Sequence, residues 1–167
     1  MSGWLAGRTA RLVGESPAIA AALAAQGATL LAEGHGDILI HVAPPPVARP
    51  AHELSHEEWR AALDVGLDQR FLLAKDFAAA RRGAGRQGAV VYVGAPEQAL
   101  GADQAAAAGA LGNLVKSLGV EWARDGLRFN AVLTVEAGET LGNLVAWLAS
   151  DYAAYVTGAV MGIGLDD

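Results

Sequence analysis

The chain contains no cysteine, which excludes a disulfide framework, zinc–cysteine sites and thiolate catalysis. It also has no apolar run of about 18 residues, the length needed to span a bilayer. Residues 1–14 carry Arg8 and Arg11 where the apolar core of a signal peptide would have to run. Together these absences predict a soluble protein of the cytoplasm.

Positive charge is also scarce, because 12 Lys and Arg stand against 18 Asp and Glu, a formal net charge of −6. Phosphate binding needs a basic stripe, so this balance argues against a nucleic-acid partner. The basic cluster of Arg81, Arg82 and Arg86 lies in a Gly-rich segment and is interpreted as a solvated loop. The composition is 53% hydrophobic and 18% charged, which favours a chain that hides apolar surface in an oligomer.

Short apolar strands alternate with helical patterns along the 167 residues, and nothing marks an internal domain boundary. Strand signals occur at 9–13, 37–42, 89–93, 127–133 and 158–163. Helical spacing occurs at 18–26, 55–80, 103–124 and 141–150. This alternation predicts an α/β fold, with a parallel sheet of about five or six strands and helices on both faces.

Residues 28–32 also have strand character, but only residues 33–36 separate them from the next strand. Parallel neighbours need a crossover of a dozen or more residues, and four residues reach about 14 Å at most. Thr29–Leu31 therefore either forms an irregular edge segment or pairs briefly at the rim of the sheet. The short reach favours the irregular segment.

Several motifs follow one another in a fixed order. They include Glu57-Glu58-Trp59-Arg60, Arg128-Phe129-Asn130-Ala131-Val132, Leu148-Ala149-Ser150-Asp151 and Tyr155-Val156-Thr157-Gly158. In that order the chain resembles the short-chain dehydrogenase/reductase family. The resemblance implies a truncated, doubly wound Rossmann-like sheet in a single domain, residues 1–167. That domain would lack the segment between the first helix and the family's fourth strand, and the substrate-covering loop.

The resemblance places the family's phosphate loop, with its three glycines, on Gly14, Ala18 and Ala20. Only the first glycine is present. A Cβ at the second position blocks the approach of pyrophosphate to the backbone, and one at the third disturbs helix–strand packing. We therefore expect no bound nucleotide cofactor.

The resemblance also places the family's catalytic tetrad of Asn, Ser, Tyr and Lys on Gly66, Ala95, Gln104 and Ala108. None of the three tyrosines has a lysine four residues later. In the family, that lysine lowers the pKa of the tyrosine, so that the phenol exchanges a proton near neutral pH. No general acid or base is left, so no catalytic residue is assigned and activity is not expected of the isolated chain.

The helices at 55–80 and 103–124 and the C-terminal strand region at 158–165 are retained, and in relatives these elements form subunit interfaces. The resemblance therefore implies a non-catalytic subunit that supports a catalytic paralogue in a hetero-oligomer, as in two-component dehydrogenases. Two alternatives stay open. One is an NAD(P)-dependent or composite-site oxidoreductase using His41, Tyr92 and Gln104, and the other is a regulatory module that binds a ligand.

His52-Glu53-Leu54-Ser55-His56 matches the zinc-protease pattern His-Glu-x-x-His. That chemistry needs both histidines on one continuous helix. Ser55 is predicted to be the N-cap of the helix, which leaves His52 outside it. We therefore predict no metal site.

Overall fold

The computed structural model describes residues 3–45, 47, 49–96 and 100–164. Within these residues six strands form one parallel sheet in the order β2-β1-β3-β4-β5-β6. They are β1 Thr9–Val13, β2 Thr29–Leu31, β3 Ile38–Val42, β4 Gly88–Gly94, β5 Leu127–Thr134 and β6 Val160–Ile163. The helices are α1 Pro17–Ala25, α2 His56–Leu63, α3 Gln69–Gly83, α4 Ala102–Glu121 and α5 Glu139–Ala149. The predicted α/β parallel sheet is confirmed.

Both faces of the sheet are covered, as β4 shows. Val91 and Val93 point into a core that includes α1 and α5. Val90 and Tyr92 point into the opposite core, which includes α3 and α4. Successive residues of a strand face opposite sides, so a strand that is apolar on both sides must lie between two helical layers. The doubly wound arrangement follows from this pattern.

The irregular-edge interpretation of Thr29–Leu31 is wrong, because this segment pairs in parallel with the start of β1. The prediction assumed that β2 and β3 are neighbours in the sheet. Instead β1 lies between them and pairs on its other side with β3. Leu31 lies opposite Arg11, and Ile38 lies opposite Ala10. The connecting chain therefore returns by only about one residue along the strand direction, so a long crossover is unnecessary.

The helix predicted at 55–80 is interrupted by a π-helical turn, Asp64–Asp68, and α3 continues to Gly83. The solvated-loop interpretation of Arg81 is therefore wrong. Arg81 is only 7% exposed and forms a 2.9 Å salt bridge with Asp37. It lies one helical turn beyond Phe77 on the buried stripe of α3, where its guanidinium reaches the start of β3.

The chain leading into β6 is fixed by hydrogen bonds from β5. Asn130 donates from Nδ2 to the Val156 carbonyl at 2.9 Å and accepts from the Ala159 N–H at 3.1 Å. Thr157 Oγ1 accepts from the Phe129 N–H at 3.1 Å. The motif residues that carry the family resemblance thus hold the last strand in place. Residue 165, the predicted end of that strand region, lies outside the described residues.

The other predicted boundaries shift by a few residues. The helix predicted at 103–124 ends at Glu121 and is followed by a 3-10 turn, Ala123–Asp125.

In the described part of the chain, no helix combines the length and apolarity required for a membrane crossing.

Candidate functional site

A cavity of about 350 Å³ lies where the carboxyl ends of β3, β4 and β5 meet α2, the π-helical turn and α4. Ala43, Gly94 and Leu133 contribute from the strand side. Val65 and Leu111 contribute from the helical side. The carboxyl edge of a parallel sheet is the usual place for a ligand in open α/β folds. The cavity is therefore the candidate functional site.

All four positions predicted to correspond to the catalytic tetrad line this one cavity: Gly66, Ala95, Gln104 and Ala108. Gly66 lies in the π-helical turn, and a Cβ added there would come within 2.6 Å of the Ala107 Cβ. The glycine thus permits the close approach of α4. Gln104 carries the only polar side chain of the four, and its amide is neither an acid nor a base near neutral pH.

A buried cluster of His41, Arg70 and Tyr92 lies at the strand side of the cavity. Arg70 donates from Nε to His41 Nδ1 at 3.2 Å and from Nη2 to the Val93 carbonyl at 2.9 Å. The Tyr92 hydroxyl donates to the Arg70 carbonyl at 2.9 Å. The guanidinium carbon of Arg70 lies 5.7 Å from the centre of the Tyr92 ring.

The environment of this cluster shifts all three pKa values. Burial, reinforced by the Arg70 charge, lowers the pKa of His41 to about 4. Burial raises the pKa of Tyr92 and lowers the pKa of Arg70 to about 10. Tyr92 therefore remains a neutral hydrogen-bond donor, and His41 a neutral acceptor, across the physiological range. His41 and Tyr92 are brought together, but of the three cluster residues Arg70 alone lines the cavity.

Arg70 lines the cavity but was not predicted from the sequence to be a site residue. A usable signal was present, because Arg70 falls on the same helical stripe as Ala74, Phe77 and Arg81, all of which are buried. A charged residue on an apolar stripe is rarely buried without a partner. The sequence pattern alone therefore indicated that the Arg70 side chain needs a buried partner.

The two histidines of the His-Glu-x-x-His match do not lie on one continuous helix, and the predicted N-cap at Ser55 is confirmed. His52 lies in a 3-10 turn, Ala51–Glu53, and Ser55 is the N-cap of α2. Within the ranges that the structure describes, no group of three or more His, Asp or Glu side chains could hold a metal ion.

The depressed pKa of His41 predicts a pH dependence of stability. Its unfolded pKa is 6.5 and its folded pKa about 4, so below pH 6.5 the unfolded chain binds more protons than the folded one. Stability should therefore fall as the pH drops from 6.5 towards 4. At about 1.4 kcal/mol per pH unit, the loss between pH 6.5 and pH 5 is about 2 kcal/mol. Urea unfolding at pH 7 and pH 5 measures it.

His41→Gln is the control for this prediction, because it keeps a hydrogen-bond acceptor but does not titrate. The pH-dependent loss should be smaller in the variant by about 2 kcal/mol. Equal losses in the two proteins would show that His41 is protonated in the folded state or accessible to water.

The fold and the cavity position define a Rossmann-like α/β protein, and comparisons with known proteins identify its family. The family model described as "Enoyl-(Acyl carrier protein) reductase" matches residues 20–136. Cis-4-hydroxycyclohexanecarboxylate dehydrogenase of Sinomonas cyclohexanicum is 30% identical over 145 residues, covering 68% of this chain and 58% of that protein. 3beta-hydroxysteroid dehydrogenase 1 of Eggerthella lenta is 28% identical over 173 residues, covering 80% and 64%.

A solved short-chain type dehydrogenase/reductase from Mycobacterium marinum shares the fold, with a TM-score of 0.86 at 19% identity, covering 95% of this chain and 94% of that one. The chain belongs to the short-chain dehydrogenase/reductase family. It spans about three fifths of the length of the two curated relatives above.

Membership implies a dinucleotide cofactor at the turn between β1 and α1, and the residues there do not fit one. Gly14 has a φ of +88°, and a Cβ on it would lie 2.2 Å from the Val42 carbonyl oxygen, so this glycine serves the turn itself. Pro17 has no N–H, and Ser16 Oγ accepts the Ile19 N–H at 3.4 Å. Two of the first three helical donors are thus unavailable to a phosphate.

Proposed function

We propose that this chain is a non-catalytic short-chain dehydrogenase/reductase subunit that assembles with, and supports, a catalytically active family member. The observation that carries the proposal is the convergence of Gly66, Ala95, Gln104 and Ala108 on one cavity. Where the family resemblance places a proton-transfer apparatus, these side chains offer no ionisable group. The cavity persists while the residues for chemistry are replaced.

The connections around the cavity support this interpretation. Four residues, 135–138, join β5 to α5, and six residues, 32–37, join β2 to β3. In the proposal, residues 1–167 form one domain in which the substrate-covering loop and the segment before the family's fourth strand are missing. A substrate would then have no cover of its own to exclude water from the cavity.

Exposed apolar side chains on the retained helices supply a surface for the partner. Phe71 is 44% and Leu72 51% exposed on α3, and Val120 is 80% exposed on α4. Near the C-terminal end, Tyr155 is fully exposed. Exposed large aromatic and aliphatic side chains are available to be buried against a partner. We propose that α3, α4 and the segment leading to β6 form the contact with the partner subunit.

A second candidate function is an NAD(P)-dependent oxidoreductase with substituted catalytic residues or a composite site. It is favoured by the retained cavity and by the two curated relatives, both of which are dehydrogenases. In that case a residue of the partner would supply the missing acid or base, and Gln104 would only orient the substrate by hydrogen bonding. The two candidates differ in whether Gln104→Ala changes turnover of the complex.

The proposal predicts a defined complex with a full-length family member when the tagged chain is purified from its native host. Phe71→Glu with Leu72→Glu should abolish that complex, because two carboxylates would be buried without partners in an apolar interface. Native mass spectrometry of the purified material measures the stoichiometry, and circular dichroism checks that the variant is folded.

Leu30→Glu is the control, since it places one such carboxylate on an exposed apolar side chain of the edge strand β2. The control should leave the complex intact. A wild-type chain that purifies alone and turns over a carbonyl substrate at an ordinary enzymatic rate would overturn the proposal.

A further inference from the structure

The cavity is lined by two charged side chains, Arg70 and Asp103, that form no salt bridge with any residue the structure describes. Arg70 is 3% exposed, uses Nε and Nη2 for hydrogen bonds, and forms no salt bridge within the described part of the chain. Its Nη1 makes no hydrogen bond to another described residue. Asp103 is 6% exposed, and its Oδ1 has no hydrogen-bond partner among the described residues.

Gln104 adds a second buried acceptor without a hydrogen bond, since its Oε1 also has no partner among the described residues. Arg70, Asp103 and Gln104 all line the same cavity. A buried polar atom without a hydrogen bond destabilises the fold, and a buried charged atom without one does so more strongly. These two acceptors, together with the Arg70 guanidinium at the same cavity, indicate a ligand that satisfies all three groups.

The charges determine the kind of ligand. The other two charged lining residues, Arg49 and Glu58, form a salt bridge with each other. The remaining pair, Arg70 and Asp103, has opposite signs. A simple anion would compensate only the guanidinium, and a simple cation only the carboxylate. A zwitterion compensates both side chains and keeps the net charge of the occupied cavity at zero.

The rest of the wall is apolar and includes Val65, Leu100, Leu111 and Leu133. A volume of about 350 Å³ lies at the lower end of the range for small-molecule sites. We propose that this cavity binds a small aliphatic amino acid, with its carboxylate on the Arg70 guanidinium and its ammonium on the oxygens of Asp103 and Gln104. This inference goes beyond the subunit function and does not depend on it.

Isothermal titration of the purified chain tests the proposal with four probes of similar length: L-norvaline, 5-aminopentanoate, pentanoate and pentylamine. The first two are zwitterions that differ in the separation of their charges, and the last two each lack one charge. At least one zwitterion should bind tenfold or more tightly than both singly charged probes. The preferred zwitterion reports the separation between the Arg70 and Asp103 contacts.

Asp103→Asn and Arg70→Met should each weaken binding of the preferred zwitterion at least tenfold. Asp103→Asn is nearly isosteric, so it keeps the test decisive even if the loss of the buried Arg70 unfolds the chain. Arg86→Met, in the exposed loop before β4, should leave the affinity unchanged.

Binding of pentanoate as tightly as the zwitterions would overturn the proposal, and so would an affinity that Asp103→Asn does not change. No saturable binding by either zwitterion would also overturn it. None of these results affects whether a complex with a family partner forms, because that is measured separately by native mass spectrometry.

Discussion

Arg128→Met is expected to lower the free energy of unfolding by about 2–4 kcal/mol. The Arg128 guanidinium donates from Nη1 to the carbonyls of Leu148 at 2.7 Å and Ala153 at 2.9 Å. From Nη2 it donates to the Ser150 carbonyl at 3.0 Å. These acceptors lie at the end of α5 and just beyond it, where carbonyl groups have no partner within the helix. A positive charge there also interacts favourably with the helix dipole.

Urea unfolding followed by circular dichroism measures the effect of Arg128→Met. Arg124→Met is the matched control, because Arg124 is exposed in the 3-10 turn just before β5. The control should change stability by no more than about 0.5 kcal/mol. If both variants lost the same small amount, the role assigned to Arg128 in holding the C-terminal segment would be wrong.

Gly14→Ala is expected to destabilise the fold by about 3 kcal/mol or more, since it combines two costs. The φ of +88° is strained for any residue with a Cβ. The new Cβ would also lie 2.2 Å from the Val42 carbonyl oxygen, which is backbone and cannot rotate away. The strands β1 and β3 would have to separate at their carboxyl ends.

Gly7→Ala separates the two costs of the Gly14 substitution. Gly7 has a φ of +77°, but a Cβ there meets nothing within 4 Å, so its expected cost is about 1–2 kcal/mol from backbone strain alone. Thermal unfolding of both variants gives the difference. A Gly14→Ala protein no less stable than Gly7→Ala would show that the turn can move away from β3.

Much of the fold was predictable because local sequence signals determine many of its elements. The apolar run at 89–93 and the capping box at Ser55 and Glu58 are local signals, and both are observed. The error at Thr29–Leu31 came from assuming that strands consecutive in the chain are neighbours in the sheet. Strand order is a tertiary property, and the position of β1 between β2 and β3 is not encoded in local spacing.

The candidate site was predictable only in part. The family resemblance placed Gly66, Ala95, Gln104 and Ala108, and the structure brings these positions together at one cavity. The burial of Arg70 and Asp103 at this cavity was missed, because it depends on how α3, α4 and β4 pack together. The salt bridge between Arg81 and Asp37 was missed for the same reason.

The retained and replaced residues have different physical roles. Asn130 and Thr157 fix β6 to β5. Gly14 allows the turn from β1 to approach β3. The resemblance places these structural residues in the family's motifs, and it places side chains without an ionisable group at the family's proton-transfer positions. The proposed subunit function follows from this division, since assembly requires the fold but not the chemistry.

Titration of the purified chain with NADH and NADPH, followed by nicotinamide fluorescence, tests the central claim most directly. The turn between β1 and α1 does not fit a pyrophosphate, because it carries Ser16, Pro17, Ala18 and Ala20. No saturable change in fluorescence is therefore expected up to about 1 mM nucleotide, the upper end of ordinary KM values. Saturation at micromolar concentrations of either nucleotide would contradict the account and support an oxidoreductase.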